Sequence, residues 1–208
     1  MNTALIIIGG GGHARVLAEI INQYEYYHIL GYTDFQFCKE MELPYLGNDS
    51  VIDEYLPDNV CLVNGIGSVD LPVRRRDIYR SFTESGYRFA GIIHERSIIS
   101  AKAKLLGGVQ VMGGAVINAD AVVRENVIIN TSVTVDHDCD IGAHTHVATG
   151  VIVSGGVSIG DGCHIGTGAT IIQGIKIGDG VLIGAGSLVI RDIPSGVKVH
   201  GSPASIVM

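Results

Sequence analysis

Basic residues are scarce in this chain. Across 208 residues, 14 Lys and Arg stand against 21 Asp and Glu, a formal net charge of −7. A surface of that sign repels phosphate backbones, which argues against a nucleic-acid partner and leaves any anionic ligand to local groups. Long apolar runs are missing as well. Hydrophobic residues make up 47% of the chain, yet no run approaches the roughly 20 residues of a membrane span, so they belong to a core and no membrane partner is expected. The apolar stretch 4–8 follows no basic segment and runs into glycines, so it reads as a buried strand and not a signal peptide, which implies the cytoplasm. Cysteines number four and are scattered, too few for a disulfide framework; Cys139 and Cys163 are expected as small apolar core groups.

What is present divides in two: an α/β, Rossmann-like domain over residues 1–95 and an all-β parallel β-helix over 96–208. Residues 4–8 predict a buried parallel strand ending in Gly9. Val16, Leu17, Ile20, Ile21 and Tyr24 recur at helical spacing over 13–27, and a second strand over 28–33 ends at Asp34. Strands at 61–63 and 88–93 and a helix over 70–85 would complete a four-stranded sheet. Gly9, Gly11 and Ala14 match the G-x-G-x-x-G/A dinucleotide fingerprint, with Asp34 where a ribose-binding acid is expected. Alone that predicts NAD, but some 95 residues hold only one half of a dinucleotide fold, so a single nucleotide fits better. The competing reading is a glycine-rich turn with no ligand, His13 simply capping the helix.

From Ile99 to Val189 every sixth residue is aliphatic, sixteen in all, and the residue four further on, from Ala103 to Ile193, is small or medium. A period of six fits neither a helix nor an alternating strand; it fits a hexapeptide β-helix, each hexad giving one short strand and one corner. Three hexads make an 18-residue coil, so about five coils stack at roughly 4.8 Å. Corner positions such as Gly142, Gly160, Gly178, Gly184, Asn118 and Asn130 are expected to hold unusual backbone angles.

The coil length converts sequence into space. His146 falls under His164. His137 lies between Ala119 and Gly155 one coil down and up, small neighbours that leave room for a ligand, and stands in the acidic run Val135-Asp136-His137-Asp138-Cys139-Asp140. A nearby carboxylate raises the basicity of an imidazole and fixes its tautomer, making His137 a candidate general base. Its bland alternative is a solvated corner residue. His144, His146 and His164 match no recognised zinc spacing, so no metal is expected.

The loop GGGGHARV, the DHDC box, the unbroken hexads and the ending GSPAS together resemble the sialic acid O-acetyltransferase and bacillosamine-pathway sugar acetyltransferase family across the whole chain. That resemblance supplies the left-handed winding. It also implies a homotrimer with acetyl-CoA in the groove between adjacent β-helices, His137 as base and Asp138 as its carboxylate, with Asp136 a competing partner. By the same resemblance His146, Thr167 and Ala185 line the acetyl-CoA path, and Lys198 or Lys176 supplies charge for its phosphates. Gly11, Gly12 and His13 match the diphosphate loop, Thr33 and Asp34 the base and ribose contacts, and Gly67 a third turn. The function implied is N-acetylation of a UDP- or GDP-linked 4-amino-4,6-dideoxy sugar, with a backbone N–H or His146 stabilising the oxyanion. The rivals are O-acetylation of a sialic acid, an NAD-binding protein, and a non-catalytic β-helical scaffold.

Overall fold

A computed structural model describes residues 3–206 and separates into two compact units: residues up to Gly67 with Arg74–Ile92, and Ser68–Val73 with everything from Ile93 onward. The six residues 68–73, assigned by sequence to the first domain, are thus part of the second.

The first unit contains β1 (Thr3–Ile8), α1 (Gly12–Ile21), β2 (Tyr27–Thr33), β3 (Tyr45–Gly47), β4 (Val60–Asn64), α2 (Val73–Glu84) and β5 (Arg88–Phe89). All strand pairs are parallel, in the order β3-β2-β1-β4-β5. The sheet therefore has five strands and not four. The extra one, β3, is three residues on an edge after Pro44, too short to carry an alternating pattern. Helix α1 ends at Ile21, short of the Tyr27 that spacing suggested, because Asn22 caps it and Tyr24, Tyr26 and Tyr27 pack on one another. Helix α2 likewise begins at Val73 and not Asp70. Leu5, Ile6, Ile7 and Ile8 are fully buried, as a strand covered on both faces requires.

The second unit is the left-handed parallel β-helix. Sixteen strands of two residues each recur every six positions, from Ile98–Ile99 to Leu188–Val189. Each pairs with the strand 18 residues away, as Val135 does with Ile117 and Val153, building three parallel sheets. The inward aliphatics and small residues form one continuous core in which Cys139 and Cys163 are buried; burial pushes the Cys163 thiol up to about 11. Beyond Val189 the repeat slips by two. Ile193, expected in a small-residue slot, instead bridges Ile177, and Lys198–His200 pairs with the strand at 182–183.

The corners differ from the sequence reading. Positive φ falls three residues after each inward aliphatic from Leu105 to Ile183, at 14 positions six apart from Gly108 to Gly186, nine glycines and five others. There the N–H turns down to a carbonyl of the coil below: Asp138 N–H donates to Ala119 O, Gly156 N–H to His137 O and Gly162 N–H to Ala143 O. Gly142, Gly160 and Gly178 are not in this series. They are needed for close approach, since a Cβ on Gly142 would overlap the backbone of Gly160, and one on Gly160 the backbone of Gly178.

Candidate active site

In the first unit, the glycine loop leaves the C-terminal tip of β1, the strand flanked by β2 and β4, where open α/β sheets bind ligands. Gly11 is the N-cap of α1 and makes no side-chain capping bond; no acidic residue occupies the first turn. Gly11 and Gly12 are exposed, and the helix N-terminus they form suits an anion. Gly67 lies against His13, a Cβ there coming within 3.2 Å of His13 Cβ. The Asp34 carboxylate accepts Gly10 N–H (2.7 Å) and Phe35 N–H (2.7 Å), which ties the glycine loop to the tip of β2. Thr33 has a different place from the one expected: it is fully buried, and its hydroxyl donates to Asp49 Oδ1 at 2.6 Å. Its side chain braces β2 and does not face solvent.

In the β-helix, His137 Nδ1 lies 2.8 Å from Asp138 Oδ2, both side chains being about half exposed or more, 53% and 65%. Asp138 can reach because it occupies a left-handed corner (φ 58°). Asp136 has other work. Its Oδ1 accepts the His137 backbone N–H (2.8 Å) and Asn118 Nδ2 (2.8 Å), which holds its carboxyl below the usual range. The Asp138 hydrogen bond, with Asp136 adding charge, holds the imidazole above the usual histidine pKa. Gly155 does not leave the space above the ring open. A Cβ there would lie 2.6 Å from His137 Cε1 and 2.7 Å from Nε2, so the glycine admits the ring itself. With Nδ1–H donated to Asp138, Nε2 carries the lone pair.

A groove of about 350 Å³ runs along another face of the prism, lined by His146, Thr167 and Ala185 together with Ser68, Asn130 and His164. The first three are the residues assigned to one path; of the others, Asn130 was read only as a corner and His164 only as the neighbour stacked on His146, and Ser68 was missed. Asn130 Oδ1 accepts Thr131 N–H at 2.7 Å, which turns its Nδ2 toward His146 Nε2 at 3.1 Å. His146 Nε2 is then an acceptor, and Nδ1–H donates to Ser68 Oγ at 2.8 Å. With both ring nitrogens engaged, His146 is poorly placed to stabilise an oxyanion. His164 packs edge-on to it, centroids 5.1 Å apart, with its pKa lowered by burial. Ser68 lies 78 residues from His146 in sequence, and no periodic pattern includes it. Lys198 shares this sheet and lies 3.9 Å from Asp70, whereas Lys176 is on a different one.

His137 and His146 are not brought together within one chain. His146 projects from the sheet containing the strands at 128–129 and 164–165, whereas His137 sits at the corner joining the other two sheets, on the opposite edge of the prism. Among the described residues no group of three or more His, Cys, Asp or Glu is placed to hold a metal ion, and no helix is long and apolar enough to cross a membrane.

Residues 4–82 match the PglD N-terminal domain, 156–191 the bacterial transferase hexapeptide (six repeats) and 132–171 the hexapeptide repeat of succinyl-transferase. Among solved structures, the chain is similar to the acetyltransferase domain of PglB from Neisseria gonorrhoeae, with 33% identity over 99% of this chain and 100% of that one and a TM-score of 0.93. The same domain in complex with acetyl coenzyme A matches at 32% identity over 100% of both chains, TM-score 0.92. PerB from Caulobacter crescentus, in complex with CoA and GDP-perosamine, matches at 33% identity over 99% of this chain and 97% of that one, TM-score 0.91. Identity at this level along the whole length, with both domain types in the same order, settles the classification: the chain belongs to the PglD-like family of hexapeptide-repeat acetyltransferases.

Proposed function

We propose that the protein transfers the acetyl group of acetyl-CoA to the free amine of a nucleotide-linked 4-amino-4,6-dideoxy sugar, carried by UDP or GDP. The observation that carries this reading is the His137–Asp138 pair, an accessible imidazole with a raised pKa whose Nε2 is left as the acceptor. The amine nitrogen attacks the thioester carbonyl carbon while Nε2 of His137 takes its proton. The C–S bond then breaks, the thiolate of CoA leaves, and the proton passes to it. A backbone N–H stabilises the oxyanion, since the ring nitrogens of His146 are bonded to Ser68 and Asn130.

The α/β unit holds the nucleotide through the glycine loop, and the groove carrying His146, Thr167 and Ala185 holds the pantetheine arm. Because His137 and that groove occupy opposite sides of one prism, a complete site takes its base from one subunit and its cofactor groove from the next. We therefore infer a homotrimer. The sheet whose outward residues are Ile98, Val116, Thr134, Ile152, Thr170 and Leu188 supports it, with Ile98 largely and Ile152 about half exposed. Four free cysteines and the use of acetyl-CoA and a nucleotide sugar support a reading in which the protein works in a reducing cytoplasm.

His137→Ala is expected to lower kcat by about two orders of magnitude or more while both ligands still bind. Unchanged kcat would remove His137 from the mechanism, and transfer to a sialic acid hydroxyl in preference to the amine would replace the acceptor.

A further inference from the structure

The residues assigned to the nucleotide so far have a gap. Gly11, Gly12, Gly67 and Asp34 offer backbone and one carboxylate already bonded to backbone, and His13, half-buried against Gly67, adds an imidazole; none of them gives a fully exposed ring for a base or a permanent cation for a diphosphate. The structure supplies both at the same mouth. Phe35 directly follows Asp34 at the tip of β2, and its own N–H donates to the carboxylate that accepts from Gly10. Yet its ring is 78% exposed, an unusual place for a phenylalanine that contributes nothing to the core. The Arg74 guanidinium lies over that ring, 4.9 Å from its centroid. Arg74 is itself exposed, while its neighbour Arg75 is buried and donates to Asn64 O (2.7 Å) and Ile66 O (2.9 Å). Asn64 answers with Nδ2 to Arg75 O (3.0 Å). This reciprocal anchor ties the first turn of α2 to the turn after β4, the strand on the far side of β1 from β2. The guanidinium of Arg74 therefore reaches from the β4 side to the β2 tip, across the end of the sheet where the glycine loop emerges.

We propose that Phe35 and Arg74 form the nucleoside-diphosphate clamp of this protein: the Phe35 ring is the stacking surface for the base, and Arg74 is the cation for the diphosphate at the N-terminus of α1. Every base has a π-face, so stacking on Phe35 supplies affinity for either UDP or GDP, and hydrogen bonds elsewhere choose between them. An arginine suits both partners, since its planar fork stacks on aromatic rings and pairs with phosphate oxygens. Neither residue belongs to a sequence motif; they are 39 positions apart, and only the parallel sheet order unites them. The clamp rests on the nucleotide-sugar reading above and names the residues that read the nucleotide.

Calorimetric titration of the full-length protein with UDP, GDP and inorganic pyrophosphate separates the two roles. Phe35→Ala should weaken the bound nucleotide by about 5- to 150-fold and leave pyrophosphate unchanged, whereas Phe35→Trp should restore nucleotide affinity. Arg74→Gln should weaken nucleotide and pyrophosphate together by about tenfold. Both side chains are exposed, so the fold should be retained, and the KM for acetyl-CoA should not move. Wild-type affinity in Phe35→Ala overturns the stacking surface, and wild-type pyrophosphate affinity in Arg74→Gln overturns the cation. Failure of the wild-type protein to bind either nucleotide would overturn the nucleotide-sugar reading itself, a result distinct from both.

Discussion

The fourteen left-handed corners of the β-helix fall into two classes. Nine are glycine, whereas Asp120, Asn126, Ser132, Asp138 and His144 are five consecutive corners that carry side chains. Asn126, Ser132, Asp138 and His144 send the corner N–H to the coil below just as the glycine corners from Gly150 to Gly186 do, so the backbone requirement is identical. What differs is what the corner does besides turning. A left-handed conformation costs a non-glycine residue roughly 1–2 kcal/mol, least for Asn and Asp, and strain of this kind gathers at functional sites. Here it falls on the five corners that flank His137 along the chain. Asp138 spends its corner on the imidazole, and Asn126 and His144, 18 residues apart, bond to each other at 3.0 Å. The glycine corners continue from Gly150 to Gly186 with no side chain to place.

Asp138→Gly tests this difference most severely, because glycine suits the corner better than aspartate does. Activity should fall about a hundredfold, close to 3 kcal/mol in kcat/KM, while the melting temperature stays level or rises. The acid limb of the pH profile should move as well. Asp138 raises the His137 pKa and the reaction needs the neutral ring, so losing the carboxylate shifts the limb to lower pH. The same raised pKa means that the pair stabilises the fold below the unfolded imidazole pKa, and that this contribution is lost as pH rises through the folded value. An unmoved acid limb would show that Asp138 occupies its corner for a reason unrelated to the base.

The next two effects separate the two uses of glycine. Gly160→Ala should destabilise by about 2 kcal/mol, because its Cβ would overlap the Gly178 backbone one coil up. Gly162→Ala meets nothing within 4 Å but has φ of 64°, and should cost about 1 kcal/mol from backbone strain alone. Thermal or urea unfolding of the two variants in parallel ranks them. The reverse order would mean that packing between coils is looser than the geometry shows.

How much of this was legible beforehand follows from the physics of each element. The inward slot is a hydrophobic rule repeated sixteen times, so the sequence declares the coil and its 18-residue register, and with it the stacking of His146 on His164. Gly142 and Gly160 were visible as recurrent glycines, yet composition cannot distinguish a glycine kept for φ from one kept for close approach, and the positive angle lies two residues further on. His137 with an acid beside it was legible from spacing; choosing Asp138 over Asp136 required knowing which carboxylate the backbone had already claimed. Thr33 was misplaced because a residue at a strand tip can face either the ligand or the core, and the Asp49 that draws it inward sits in a turn with no pattern. Ser68 and Arg74 were out of reach for the same reason. Each acts through a contact that periodicity does not encode.

The smallest effect bears most directly on the comparison. Ser132 is one of the five side-chain corners, at φ 57°, exposed, and distant in the coil sequence from neither Asn126 nor Asp138. If its side chain has no task, Ser132→Gly should relieve about 1–2 kcal/mol of left-handed strain and add about 0.5–1 kcal/mol of unfolded-chain entropy cost, a net gain of about 0.5 kcal/mol. For a chain of this size that corresponds to a rise of about 1–2 °C in the melting temperature. A gain with activity unchanged would confine the functional corners to those that grip a neighbour. A loss of either stability or activity would mean that Ser132, too, is held in its left-handed turn by something worth more than the strain, and would extend the functional stretch unbroken from Asp120 to His144.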